Sequence, residues 1–261
     1  MKILFEAKLV LNLEKCSFIY TKLFYLGHII SSKGIEMNPE VREKTLNFKE
    51  PTNLKQLRGF IGLTSYCRKF IPDFAEMCKP LTEATKNKKS KYSKITLDAE
   101  AKNAFVTLKE RMSQQMILAF PSNNAEYVIQ CDASNFCISG CLEQIKDAER
   151  RPINFFSRKL NKAELNYTVT EKECLAIVQT VKHYKHYLMG KKFTILTDHM
   201  SLKWLMGYKN PTGRLARWIF TLQMFNFEIK HIKGSENVMA DALSRLEINS
   251  IIVKELDRKQ K

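Results

Sequence analysis

The 261 residues carry 43 Lys and Arg against 27 Asp and Glu, a formal charge of +16, with 44% hydrophobic and 27% charged residues. That composition is too apolar for a disordered chain, and no run reaches the roughly 20 apolar residues that a membrane helix needs. Seven cysteines scattered from Cys16 to Cys174, with no CxxC pair, fit a reducing compartment rather than a disulfide framework or a zinc site.

At about 150 residues per domain, one large or two small domains are expected. The positive excess is shared along the chain, +9 over residues 1–122 and +7 over residues 123–261. A distributed charge of this size suits a polyanion, nucleic acid above all, through counterion release. The plainer alternative is a basic protein that is merely soluble.

The first residues begin like a signal peptide, but Glu6 and Lys8 break the apolar stretch. Short apolar runs then alternate with turns. Cys16–Tyr20 and Leu23–Ile30, the latter followed by Ser31-Ser32-Lys33-Gly34, read as hairpin strands, too few to bury a core alone. Asn38 followed by Pro39 predicts a helix to about Phe48. Leu54, Leu57, Phe60 and Leu63 predict a second, from Asn53 to before Pro72. A lysine-rich linker (Lys86, Lys88, Lys89, Lys91, Lys94) separates it from a third helix capped by Asp98. After Pro121 strands precede helices. Strands are expected at Glu126–Cys131, Cys137–Gln144, Pro152–Ser157, Lys192–Thr197 and Phe227–Ile232. Helices are expected at Thr170–Met189, at 200–207, at 212–223 and at Asn237–Arg245.

Four carboxylates occupy informative places in this order. Asp132 and Asp198 follow apolar strands, Glu173 lies in the first turn of the long helix, and Asp241 lies in the terminal one. In an α/β sheet such positions face one cleft. Carboxylates converging there repel one another unless cations sit between them, and hard oxygen donors suit Mg2+ or Mn2+. Two ions about 3.5–4 Å apart can activate a water and stabilise the leaving oxygen of a phosphodiester. Singly, each residue has a plainer reading: turn former, helix-start acid or solvated side chain. Together, on a basic chain, they have the logic of a metal-dependent nuclease.

Residues of about 123–246 resemble the ribonuclease H domain of gypsy-type LTR retroelement Pol polyproteins. The resemblance is carried by Cys131-Asp132-Ala133-Ser134-Asn135, Pro152 through Leu160, Asn166-Tyr167, Glu171 through Val178, Thr197-Asp198-His199, Arg217-Trp218, and Gly234 through Asn237 leading to Ala240-Asp241-Ala242-Leu243-Ser244-Arg245. Upstream, Lys15-Cys16-Ser17-Phe18, Tyr25 through Ile30, Gln56 through Leu63, Arg68-Lys69-Phe70-Ile71 and Pro80-Leu81-Thr82 resemble the last palm strands and thumb of the same polyprotein's reverse transcriptase.

The resemblance implies an α/β ribonuclease H-like mixed five-stranded sheet with flanking helices, preceded by a small, mostly helical thumb and connection segment. It divides the chain into a palm-end remnant (1–36), thumb and connection (37–122), ribonuclease H domain (123–246) and tail (247–261). It implies hydrolysis of the RNA strand of an RNA–DNA hybrid, with Asp132, Glu173, Asp198 and Asp241 binding two Mg2+ ions, Mn2+ being a substitute. Glu171 is a neighbouring alternative to Glu173. His231, ten residues before Asp241, matches a position where some ribonucleases H place a histidine that assists product release. Its plainer reading is a strand residue at the sheet edge.

Arg214, Arg217 and the tryptophans Trp204 and Trp218 are candidates to face the hybrid, where the 2′-OH distinguishes RNA from DNA; core burial is the competing role for both tryptophans. Tyr25, Leu26 and Gly27 fall at the primer grip of an intact reverse transcriptase. Expected partners are the hybrid and, beyond it, the missing polymerase portion or a second Pol subunit, with no membrane. The expected location is intracellular, in a cytoplasmic particle or the nucleus. The 261 residues contain no Tyr-X-Asp-Asp motif, so this chain alone is not expected to polymerise DNA. Two departures from the family pattern, Ser139 in place of a small Gly and Tyr92-Ser93-Lys94 in place of an aromatic pair, favour the alternative of a silent or domesticated relic that binds nucleic acid or a protein without cutting.

Overall fold

The computed structural model describes residues 3, 6–10, 12, 14, 16, 18–86, 90–197, 205–207 and 211–232. Three short strands come first among the strands: β1 (Lys22–Tyr25), β2 (His28–Ser31) and β3 (Gly34–Met37). The turn between β1 and β2 takes left-handed backbone at Leu26 and Gly27, and glycine tolerates that region at no steric cost. Cys16–Tyr20 is not a strand in its described residues: Ile19 has a φ of 60°, incompatible with extended pairing.

Helix α1 (Pro39–Leu46) starts as expected, with the Asn38 side chain accepting from the Glu40 amide and Pro39 in the first turn. Helix α2 (Leu54–Tyr66), capped by Asn53, buries Leu54, Leu57, Phe60 and Thr64. It ends before Pro72, because the chain tightens into a 3-10 turn at Arg68–Phe70 that buries Phe70. Two short helices follow, α3 (Phe74–Met77) and α4 (Lys79–Glu83). The lysine-rich stretch is not a free linker in its described part. Lys55 donates its amide to Lys91 O at 2.8 Å, and Ile95 donates to Thr52 O at 2.9 Å, tying residues 91–95 to the start of α2. Helix α5 (Ala99–Ser113) is capped by Asp98 and buries Ala101, Ala104, Phe105, Leu108 and Met112. Strand β4 (Ile117–Leu118), which no sequence signal announced, returns to pair with β3 and completes a four-stranded sheet.

The second sheet is mixed. It comprises β5 (Glu126–Ala133), β6 (Cys137–Lys146), β7 (Glu149–Lys159), β8 (Lys192–Thr197) and β9 (Asn226–His231), in the order β7-β6-β5-β8-β9. Strands β5, β6 and β7 form an antiparallel meander, while β8 runs parallel to β5 and β9 parallel to β8. The expected long helix is two. Helix α6 (Val169–His183) ends at Tyr184 and a short α7 (Lys185–Leu188) follows. The break has a cause in the sheet: Tyr184 is buried, and its hydroxyl donates to Asn154 O at 2.8 Å. Helix α8 (Gly213–Gln223) buries Trp218 and Leu222. Of the helix expected at 200–207, only 205–207 are among the described residues, and the terminal helix at 237–245 is outside them.

Helix α6 covers one face of the mixed sheet, packing Leu175, Val178 and Val181 on Ile129, Cys131 and Ile195. The segment α2–α5 covers the other face. Cys141 of β6 and Phe155 of β7, paired across the sheet, belong to the core that contains Leu57, Phe60, Phe74 and Leu108. Strand β6 is consequently buried along eight consecutive residues, the signature of a strand covered on both faces.

On the α6 side the fit is tightest at Gly140, where an added Cβ would lie 2.2 Å from Thr180 Oγ1 and 2.4 Å from Thr180 Cγ2. Thr180 is fully buried and β-branched, so it has little freedom to move aside. Gly140→Ala is therefore expected to destabilise the fold by about 1–3 kcal/mol through overpacking. Urea unfolding measures this, and Gly140→Ala combined with Thr180→Ala should recover part of the loss.

Candidate metal and nucleic-acid site

Asp132 lies at the end of β5, one residue before the last. Its partner on β6 is Ser139, and Ser139 is in turn opposite Ser157 of β7. Paired residues share a face, so Asp132, Ser139 and Ser157 look toward the helical layer. The Ala75 amide confirms that orientation by donating to Ser157 Oγ at 3.0 Å.

Glu173 comes from the opposite layer. It sits near the start of α6 and is only 4% exposed. The helix start is fixed by a capping box, in which Thr168 Oγ1 accepts from the Glu171 amide and the Glu171 side chain accepts from the Thr168 amide. That contact separates the two glutamates: Glu171 is used by the cap, and Glu173 is directed inward. Both Asp132 and Glu173 act on the Cys131 thiol, which burial, first, and these two charges push up to about 12. Both carboxylates thus act electrostatically on one residue near the end of β5.

Strand β8 ends at Thr197, immediately before Asp198, and runs parallel beside β5 with Leu196 opposite Gln130. Residue His231 ends β9 opposite Thr197, and the Ile232 amide donates to Thr197 O at 3.1 Å. The described ends of the three parallel strands therefore lie side by side, as the strand order required. Asp198, Asp241 and Trp204 lie outside the described residues. Among the described residues there is no group of three or more potential metal ligands; of the four carboxylates singled out from the sequence, Asp132 and Glu173 are the two that are described. Both are hard oxygen donors of the kind that suits a divalent magnesium-type ion.

The arginines divide. Arg214 is already engaged: its guanidinium ion-pairs with Glu171 and lies 4.4 Å from the Tyr167 ring centroid. Arg217 is exposed, one residue before the buried Trp218, which takes the core role weighed against nucleic-acid contact. Tyr25 ends β1 and Leu26-Gly27 form the turn to β2, with Tyr25 and Leu26 exposed. The turn is held from behind by Tyr66, whose hydroxyl donates to Leu26 O at 2.6 Å.

Sequence reasoning missed two acidic neighbours, Asp73 and Glu76. Asp73 has a φ of 50°. Burial pushes its carboxyl up, a hydrogen bond with Ser139 opposes that, and the Asp132 and Glu76 charges add to the rise. Ser139, read from sequence as a departure from the family pattern, thus sits beside a half-buried acid. No local signal could have found this contact, because its halves are more than sixty positions apart in the chain.

Residues 122–225 match the RNase H-like domain found in reverse transcriptase. The chain is 42% identical over 244 residues to the retrovirus-related Pol polyprotein from transposon 297 of Drosophila melanogaster, covering 93% of this chain and 22% of that protein. It is 39% identical over 249 residues to the corresponding polyprotein from transposon opus of the same organism, covering 92% and 25%. The transposon Tf2-3 polyprotein of Schizosaccharomyces pombe is 36% identical over 246 residues, covering 92% and 18%. The chain thus spans about a quarter or less of these relatives. Among solved structures, the foamy viral protease-reverse transcriptase in complex with RNA/DNA hybrid has a TM-score of 0.72 at 22% identity, covering 89% of this chain and 32% of that one. The same enzyme in complex with dsDNA gives 0.69 at 22% identity, covering 89% and 49%. At that identity the likeness is one of fold.

The Glu171–Arg214 pair gives a pH test. Burial alone would raise the Glu171 carboxyl, but hydrogen bonds from Arg214 and from the Thr168 backbone outweigh it and hold the group below the usual range. A depressed carboxyl contributes stability that is present above its unfolded pKa and lost as pH falls through the folded one. Arg214→Ala is expected to cost about 0.2–1 kcal/mol at pH 7, the range for exposed pairs. The cost should fade below about pH 4, as followed by thermal unfolding of both proteins across pH.

Proposed function

Because the chain belongs to the Pol polyproteins of gypsy-type LTR retroelements, as a segment that carries a reverse transcriptase's RNase H-like domain, we propose that it hydrolyses the RNA strand of RNA–DNA hybrids. The observation that carries this reading is the placement of Asp132, near the end of β5, and the buried Glu173, near the start of α6, both close enough to act on Cys131.

Asp132 and Glu173, joined by Asp198 and Asp241, are assigned as ligands of two Mg2+ ions, with Mn2+ as a substitute. When bound, the ions would supply an activated water and charge stabilisation at the phosphodiester. The chain's own residues do the rest. Glu173 also helps to position the substrate's 2′-OH, and His231, at the exposed end of β9, assists product release. Arg217 and the basic surface hold phosphates, a sequence-independent attraction set by salt. Arg214 serves the hybrid only indirectly, by fixing the start of α6 through Glu171.

Residues 1–36 and 37–122 are read as the palm end and the thumb with its connection, 123–246 as the nuclease domain and 247–261 as its tail. The turn Tyr25-Leu26-Gly27 is assigned to the primer strand. The remaining polymerase portion or a second Pol subunit is the expected protein partner. No described helix is long and apolar enough to cross a membrane, and we assign the chain an intracellular setting. The relic alternative rested in part on Ser139, and that argument weakens with Ser139 next to Asp73 and acting on its carboxyl.

A labelled RNA–DNA hybrid tests the reading. The wild-type chain should cut the RNA strand with Mg2+, stop with EDTA, and resume when Mn2+ is supplied. Asp132→Asn and Asp198→Asn should each reduce cleavage by more than about 100-fold, beyond the 10–100-fold usual for outer-shell changes at a metal site. A wild-type chain that binds the hybrid without metal-dependent cleavage leaves the relic reading in its place.

A further inference from the structure

We infer that Glu76, on α3 of the helical layer, is a positioning residue for this site: it fixes the turn that follows Asp132. The inference rests on the nuclease reading of Asp132, and goes beyond it by placing part of the site's support outside the RNase H-like domain, which begins at residue 122.

The turn is short. Strand β5 ends at Ala133 and β6 begins at Cys137, leaving Ser134, Asn135 and Phe136 between them. Ser134 organises it. Its amide donates to Cys137 O at 2.9 Å, while its Oγ lies 3.0 Å from the Cys137 amide and 3.2 Å from the Phe136 amide. For Oγ to accept from both amides, its own hydrogen must point elsewhere. It points at Glu76, whose Oε2 is 2.7 Å away. The Ser134 hydroxyl is the donor of this bond and the Glu76 carboxyl oxygen its acceptor. One side chain from α3 therefore sets the hydroxyl that sets the turn.

Two lysines close the clamp. Lys79, at the start of α4, places its Nζ 3.1 Å from the Phe136 ring centroid. Lys172, the buried neighbour of Glu173, reaches from α6 to Asn135 O at 3.3 Å. The turn after Asp132 is thus held between the helical layer on one side and the start of α6 on the other. The spacing between Asp132 and Glu173 depends on both grips, and a displacement near 1 Å at a reacting centre can cost about 100-fold in rate.

The test uses the full chain and four variants. Glu76→Ala should lower kcat on the hybrid about 10–100-fold, the outer-shell range, and leave KM within about twofold, since Glu76 does not touch substrate. Glu76→Gln keeps an acceptor for Ser134 and should stay within a few-fold of wild type. Ser134→Ala should reproduce the Glu76→Ala loss, and the double variant should be no worse than either single one. Hydrogen exchange at the Phe136 and Cys137 amides should quicken in Glu76→Ala. Wild-type kcat in Glu76→Ala, a rise in KM in place of the fall in kcat, or a Gln variant as impaired as the Ala one overturns the inference while leaving the nuclease reading intact. If the wild-type chain does not cleave, the nuclease reading fails, and unchanged exchange in Glu76→Ala then overturns the clamp on its own.

Discussion

The rest of the structure depends on one requirement: both faces of the meander β5–β6–β7 have to be shielded from water. Helix α6 covers one face, and the segment from α2 to α5 covers the other, with Cys141 and Phe155 supplying the sheet's part of the second core. Apolar burial is non-directional, so it brings the layers together without fixing how they sit. The alignment comes from polar contacts, in which Arg68 donates to Ser157 O, the Ala75 amide to Ser157 Oγ, and Ser134 to Glu76. These contacts fall on the same stretch of sheet that carries Asp132. Cohesion and site geometry therefore share residues.

Much of this was legible in the sequence, for identifiable reasons. Strand β8 was read to the residue because Lys192–Thr197 has turn signals on both sides. The starts of α1, α2 and α5 were found because Asn38, Asn53 and Asp98 are side-chain caps, a chemistry confined to a few residues. The neighbouring alternative to Glu173, Glu171, is occupied by the capping box.

What was not legible depends on distant partners. The break at Tyr184 follows from its hydroxyl reaching Asn154, thirty residues back. The two-residue strand β4 exists only because β3 is there to pair with it. Arg214 looked free because its partners, Glu171 and Tyr167, lie more than forty residues away. Asp73 and Glu76 carried no local pattern at all, and α3 is a single turn. Sequence periodicity reports which face of an element is apolar. It is silent about which polar atom on a different element will meet it.

The order of the layers along the chain has a consequence for synthesis. The helical segment ends at Ser113, and the strand that supplies Phe155 is complete only at Lys159. A ribosome adds roughly 5–20 residues per second, so the apolar underside of α2–α5 emerges seconds before the sheet that covers it. During that interval Leu57, Phe60 and Phe74 can be only partly sheltered. The nascent chain is most exposed to chaperones, and to mispairing with other nascent copies, while the meander is still being made.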